Sequence, residues 1–113
     1  AFKIQVKLIF SFIFTIKIIT MKFLITATHN YETCPVHNED VRKSFVSVIK
    51  SAPEHNIKVE SVLTNAPAHV IYIIIEAEAL TDINAMLDPI LTHNHYDIEP
   101  VLDLGAALAS TNN

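Results

Sequence analysis

The stretch HVIYIIIEAE, residues 69–78, decides the fold of this chain. Its centre is apolar at every position rather than at alternate ones, which predicts a strand that is covered on both faces. Exposing either face to water would cost about 5 kcal/mol, at roughly 1.5–3 kcal/mol per buried side chain. A chain of 113 residues can cover one face with its own helices. We therefore expect a partner to cover the second face.

The composition indicates one compact domain, with 50% hydrophobic and 18% charged residues. A formal net charge of -4 without a basic cluster excludes nucleic acid as a partner. The only glycine is Gly105, so the sequence has no glycine-rich phosphate loop. The single cysteine, Cys34, cannot form an intramolecular disulfide. This cysteine usage favours the cytoplasm, because the chain needs no oxidising compartment.

Residues 1–20 differ in composition from the rest, being rich in Phe, Ile and Lys and free of acidic residues, Gly and Pro. We interpret them as a non-native or dispensable extension that precedes a single domain of residues 21–113. A membrane-directing segment and an extra strand or helix are the alternatives. Lys17 interrupts the apolar run short of the roughly 20 residues of a membrane span. No membrane partner is expected unless residues 1–20 are genuine.

The remaining chain predicts the order strand, helix, strand, strand, helix, strand. We expect strands at residues 22–29, 57–64, 69–78 and 96–102, one helix between Asn38 and Pro53, and another opening near Thr81. Right-handed crossovers fold this order into an α+β, ferredoxin-like βαββαβ domain with an antiparallel sheet of order 4-1-3-2. The apolar strand then lies mid-sheet, and the strand with Pro100 lies at an edge, where a missing donor is tolerated.

Finer expectations concern single residues. We expect Leu63 to face the core, Asn94 to end the second helix in a left-handed conformation, and residues 106–109 to form a short turn. Both helices lie on one face of such a sheet, so the other face must meet solvent or a second copy. The apolar side chains on that face predict a homodimer, and residues 21–113 alone should form it.

Several motifs resemble a known family. The segments THNYETCP (28–35), IYIIIEAEAL (71–80), LDPIL (87–91) and YDIEPVLDL (96–104) are similar to a domain-of-unknown-function family of small prokaryotic proteins. That family resembles the dimeric α+β barrel class, which includes cofactor-free monooxygenases and muconolactone isomerase. The resemblance covers residues 21 to about 108 and implies a homodimer with a pocket between the sheets. It does not imply an oxygenase, since fold alone does not determine function.

Polar side chains are expected to converge at one end of the sheet. We expect the first and central strands to run parallel, which would bring together His29, Glu76, Glu78 and His95. The loop between the first strand and first helix would then lie over them, carrying Glu32, Cys34 and His37.

Three interpretations of this convergence remain open. A divalent metal is possible, with His29, His37, Glu76 and His95 as candidate ligands and Cys34 as an added thiolate. Acid–base or nucleophilic catalysis is the second, with His29, Cys34 and Glu76 as candidates. In the third, the same residues serve only the structure, with His29 bonded to the loop backbone.

The first functional hypothesis is a cytoplasmic, homodimeric barrel that binds a small, partly apolar molecule without a cofactor of its own. Its candidate ligand-binding residues are Thr26, Thr28, His29, Glu32, Tyr72 and Glu76. The rival is a cofactor-independent oxygenase or isomerase in which His29 accepts a proton, aided by Glu76 or Tyr72. A metal-binding protein using His29, Glu76 and nearby loop residues is the third.

Overall fold

The structure is a computed structural model that describes residues 20–111. The interpretation of residues 1–20 as an extension therefore concerns residues that, except for Thr20, lie outside the described part of the chain. The helices and strands, in chain order, are β1 Met21–Thr28, α1 Glu39–Lys50, β2 Lys58–Asn65, β3 Val70–Ala77, α2 Leu80–Leu87, β4 His95–Val101 and α3 Leu104–Thr111.

The four strands form one sheet in the order β2-β3-β1-β4, and all three neighbouring pairs are antiparallel. Read from the other edge, this is the predicted order 4-1-3-2, and it is consistent with a ferredoxin-like fold. The apolar strand β3 lies between two neighbours, and Pro100 lies on the edge strand β4. Both placements confirm the sequence prediction, and they follow from burial of β3 and from the donor that proline lacks.

Strict alternation along β3 gives the sheet two different faces. One face, which we call the core face, carries Ile71, Ile73, Ile75 and Ala77, all at most 5% exposed. It packs beneath the helices, together with Ile25 of β1. The opposite face, which we call the outer face, carries side chains of β3 that are only half-buried, namely Val70, Tyr72, Ile74 and Glu76.

Helix α1 begins as predicted from its capping residue. The side chain of Asn38 accepts a hydrogen bond from the Val41 amide at 3.2 Å, and two acidic residues occupy the first turn. One side of the helix carries an apolar stripe, in which Val41 and Val48 are buried and Phe45 and Ile49 are partly buried against the core. The helix ends at Lys50, before Pro53.

Helix α2 ends at Leu87, two residues before Pro89, because proline has no N–H with which to continue the helical hydrogen bonds. Asp88, which precedes it, keeps helical backbone angles, with φ -48° and ψ -46°. The chain continues as a short 3-10 turn over Asp88–Ile90, which buries Ile90 beside Met86. None of the helices in residues 20–111 combines the length and apolar character needed to cross a bilayer.

Three finer predictions were wrong. A bulge between Val59 and Ser61 shifts the register of β2, so Leu63 pairs with Tyr72 on the outer face and is 56% exposed. Asn94 is not left-handed, since the positive-φ residues of the described chain are Asn56 and His69. The expected turn at residues 106–109 is part of a longer helix, α3. In its first turn, the Ala106 amide donates a hydrogen bond to the side-chain oxygen Oδ1 of Asp103.

Candidate functional site

The loop after β1 buries the one cysteine. Asn30 Oδ1 accepts hydrogen bonds from the Thr33 amide at 3.0 Å and the Thr33 hydroxyl at 3.2 Å, which tightens the first turn. The carbonyl of Cys34 then accepts from the amides of His37 and Asn38, at 3.1 and 3.0 Å. These bonds fix Cys34 at 2% exposure, immediately before α1.

His69 reaches the same place from the β2-β3 hairpin. A short 3-10 turn, Ala66–Ala68, is capped by the side chain of Asn65 and leads into His69 at φ 56° and ψ 45°. This left-handed conformation costs a non-glycine residue roughly 1–2 kcal/mol. The His69 carbonyl accepts from the His29 amide at 3.0 Å, so the two histidines are joined through their backbones.

His29, Cys34 and His69 form a compact cluster, in which one ring nitrogen of each histidine and the cysteine Sγ all lie within 4.8 Å of one another. The two imidazole rings meet edge to face, with centroids 5.5 Å apart. Within the described residues, His29 Nε2 and His69 Nδ1 are buried and have no hydrogen-bond partner. Buried polar atoms of this kind call for an explanation, because leaving each unpaired costs about 1–3 kcal/mol.

A chain of hydrogen bonds fixes the proton on the His29 ring. The Tyr96 hydroxyl donates to the Ile90 carbonyl at 3.0 Å, so its oxygen must accept from Asn94 Nδ2, also at 3.0 Å. Asn94 Oδ1 therefore points at His29 Nδ1, 3.0 Å away, and accepts its proton. The neutral ring then carries its lone pair on Nε2, the buried atom without a partner.

Burial sets the protonation behaviour of this chain. Desolvation lowers the pKa of His29 against the opposing effect of the Asn94 hydrogen bond, and the nearby His69 lowers it further. Desolvation also raises the pKa of Tyr96, again opposed by Asn94. Both shifts favour the neutral forms, and the neutral Tyr96 hydroxyl is the form that donates to the Ile90 carbonyl.

A cavity of about 200 Å³ lies beside the cluster, between the 29–38 loop, α1 and the hairpin. Its apolar wall includes Pro35, Val36, Phe45, Val62, Leu63 and Ile71. Its polar groups come from His29, Cys34 and Thr64. A predominantly apolar pocket with a few polar groups on one side is typical of small-molecule sites.

The predicted convergence of His29 with Glu76 and Glu78 was wrong. Strands β1 and β3 are antiparallel, with Thr28 opposite Val70 and Lys22 opposite Glu76, so Glu76 lies at the other end of the sheet. The reason is topological, since each helix connects parallel strands while the hairpin reverses the direction between them. The neighbour of His29 is therefore the start of β3, at His69.

Glu76 and Glu78 belong to the opposite end of the sheet. There Lys22 Nζ lies 2.7 Å from Glu60 Oε2 and 3.9 Å from Asp103 Oδ2, in a solvent-exposed ion-pair group beside Glu76. Glu76 and His29 therefore lie at opposite ends of the β1–β3 pair. Within one chain, Glu76 is too far away to assist His29 in catalysis or to share a metal ion with it.

The other predicted metal ligands lie near the cluster but outside it. His95 is opposite Thr28, yet its side chain is 76% exposed and its Nε2 lies 3.4 Å from Asp97 Oδ1. His37 is exposed and stacks at a tilt on Tyr31, with ring centroids 4.9 Å apart. Glu32 is exposed on the loop, and its carbonyl accepts from Asn38 at 3.3 Å.

The remaining candidate ligand-binding residues lie on the outer face. Thr26 of β1 is paired with Tyr72 of β3. Thr28 lies two residues further along β1, on the same face of the sheet. None of these three residues lines the cavity, so their role depends on what covers the outer face.

Comparisons of the chain with protein-family models, with curated proteins and with solved structures gave no match.

Sequence reasoning missed His69 and Asn94. The parallel orientation expected for β1 and β3 would put His69, at the start of β3, at the end of the sheet remote from His29. Asn94 was interpreted as a helix stop. The antiparallel relation of β1 and β3, which the predicted strand order already requires, would have identified His69. No sequence signal distinguishes the side-chain role of Asn94 from a turn, because both favour asparagine.

Proposed function

We propose that this protein binds a small, largely apolar molecule in the cavity beside His29 and Cys34. The observation that supports this is the cavity itself, about 200 Å³ in volume and lined mostly by aliphatic and aromatic side chains. An apolar cavity of roughly 150 Å³ binds a molecule the size of benzene, so this one suits a ligand of one or two rings or a short branched chain. His29 and Thr64 supply the polar contacts that would orient it.

Indole is a suitable probe, because the chain has no tryptophan and the emission of added indole reports on its environment. We expect indole fluorescence to shift to the blue and saturate at one molecule per chain. Val62→Phe should fill the cavity and weaken indole binding at least about tenfold, which is about 1.4 kcal/mol.

Val46→Phe is the matched control. Val46 is 43% exposed and Val62 is 41% exposed, but Val46 lies on α1 away from the cavity wall. Indole that binds both variants equally well, or fails to bind the wild-type protein, would contradict the proposal.

We also propose that a second copy of the chain covers the outer face. Half-buried apolar side chains occupy its middle, on β1 and β3, and include Leu24, Val70 and Ile74. Charged residues occupy its margins, with Lys58 on β2 and Asp97 and Glu99 on β4. An apolar centre with a polar rim is the usual composition of a stable interface.

Sedimentation of the full chain tests this second proposal. We expect the wild-type protein to be a dimer and Ile74→Lys to be a folded monomer, since a charge in mid-interface must lose its hydration. Val46→Lys, on the helical side, should remain dimeric. A monomeric wild-type protein, or a dimer that survives Ile74→Lys, would contradict it.

A further inference from the structure

His29, Cys34 and His69 carry features that the binding of an apolar molecule leaves unexplained. We propose that these three side chains bind one zinc ion, with its fourth coordination position open to water or a small ligand. The proposal goes beyond the proposed function. His29 and Cys34 also line the indole cavity, and the two proposals are tested by different probes.

The separations between the three ligand atoms suit a single ion. One nitrogen of each histidine and the cysteine Sγ lie within 4.8 Å of one another. A tetrahedral zinc ion, with bonds of about 2.0–2.3 Å, holds its ligand atoms roughly 3.5 Å apart. Side-chain movements of about 1 Å would therefore bring the cluster to zinc geometry.

The unpaired atoms are those that a metal would use. His29 Nε2 and His69 Nδ1 are buried without a partner, and Cys34 is buried among the same residues. No protein donor of the described chain satisfies the two nitrogens. A bound cation would accept both lone pairs, which removes the cost of leaving two buried nitrogens unpaired.

The ring of His29 is hydrogen-bonded in the way that is usual for a metal-ligating histidine. Asn94 accepts the Nδ1 proton of His29 at 3.0 Å and is itself held by Tyr96. A ligating histidine usually donates its other ring N–H to a fixed oxygen, which sets the tautomer and the ring orientation. The backbone bond from the His29 amide to the His69 carbonyl fixes the second histidine relative to the first.

The donor set selects the ion. Two imidazoles and one thiolate are borderline-soft ligands that favour zinc over magnesium or calcium, which prefer oxygen. On binding, the Cys34 S–H bond breaks, its proton passes to solvent, and the sulfur electron pair forms the bond to zinc. Cys34 and His69 also line a recess of about 400 Å³, together with Tyr31 and His37, which provides room for a fourth ligand.

Cobalt(II) titration of the chelator-treated full chain tests the site. Co²⁺ adopts the same tetrahedral geometry as zinc and gives visible d–d bands, and a bound thiolate adds a near-ultraviolet charge-transfer band. Cys34 is the only cysteine of the chain, so that band reports this residue alone. We expect both bands to saturate at one cobalt per chain and to disappear when one equivalent of zinc is added.

Variants identify the other ligands. His69→Asn should weaken zinc binding by more than the roughly 10- to 100-fold typical of an outer partner, and Asn94→Ala should fall within that range. His93→Gln is the matched control, because His93 Nδ1 is also buried without a partner but belongs to no potential metal-binding cluster among residues 20–111. It should bind cobalt as the wild-type protein does.

Wild-type measurements keep the test independent of variant folding. Absence of a charge-transfer band at stoichiometric cobalt would overturn the proposal. So would one metal shared by two chains with two thiolates, or a His69→Asn variant that is folded by circular dichroism and binds cobalt normally.

Discussion

The Nδ1 atom of His29 lies 3.0 Å from Oδ1 of Asn94, although the two residues are far apart in sequence. This contact links the end of β1 to the turn before β4. It also determines which nitrogen of His29 carries a proton, because Asn94 is oriented by its bond to Tyr96.

Replacement of Asn94 with Ala should lower the free energy of unfolding by about 1–3 kcal/mol, since it leaves the His29 N–H and the Tyr96 oxygen without partners. Chemical denaturation of the metal-free protein measures this loss. Asn84→Ala is the matched control, because Asn84 is exposed on α2 and should change stability by at most about 0.5 kcal/mol. Equal losses in the two variants would show that the contact contributes nothing.

The pH dependence of stability should show the burial of Tyr96. Its pKa is raised from 10.0 by desolvation, so above that pH the unfolded chain releases a proton that the folded protein keeps. The folded state then binds more protons, and the free energy of unfolding falls as the pH rises from about 10 through the raised pKa. Ultraviolet titration should show one tyrosine that ionises at a higher pH than the others. Tyr96→Phe should remove this component of the titration curve, and Tyr31→Phe should leave it in place.

His69 should be more easily replaced by glycine than by alanine. Its φ of 56° lies in the left-handed region, where glycine has no Cβ to strain the backbone. We expect His69→Gly to be about 1–2 kcal/mol more stable than His69→Ala, measured by denaturation of the metal-free protein. If alanine is the more stable of the two, the turn does not hold this conformation in solution.

The core depends on the middle of β3. Ile73 is fully buried, so Ile73→Ala should cost about 2–5 kcal/mol through lost burial and the cavity left behind. Val46→Ala on the exposed side of α1 should cost far less. A loss below about 1 kcal/mol at Ile73 would mean that the core face is not packed as described.

The sequence predicted the sheet because its two strongest signals concern burial and backbone donors. The uninterrupted apolar run of β3 required a central position, and Pro100 required an edge, so the strand order followed. The position of Asn38 predicted the start of α1 for a similar local reason. The register of β2 could not be predicted, since a bulge at Val59–Ser61 exchanges the faces of every residue after it.

The candidate site was predicted only in part. His29 and Cys34 were identified from their position after β1, and both lie in the cluster. Glu76 was assigned to it and His69 excluded because the direction of β3 relative to β1 was taken as parallel. Asn94 acts through a hydrogen bond between distant parts of the chain, which neither local propensity nor periodicity reveals.

The hydrogen-bond chain from Tyr96 through Asn94 leaves the lone pair of His29 on the buried Nε2 atom, within the cluster that also contains Cys34 and His69. Long-range proton–nitrogen NMR correlations of the imidazole rings in the metal-free protein at neutral pH test it most directly. We expect a protonated Nδ1 and an unprotonated Nε2 for His29, with loss of this preference in Asn94→Ala. A protonated Nε2, or a ring that carries both protons, would contradict it.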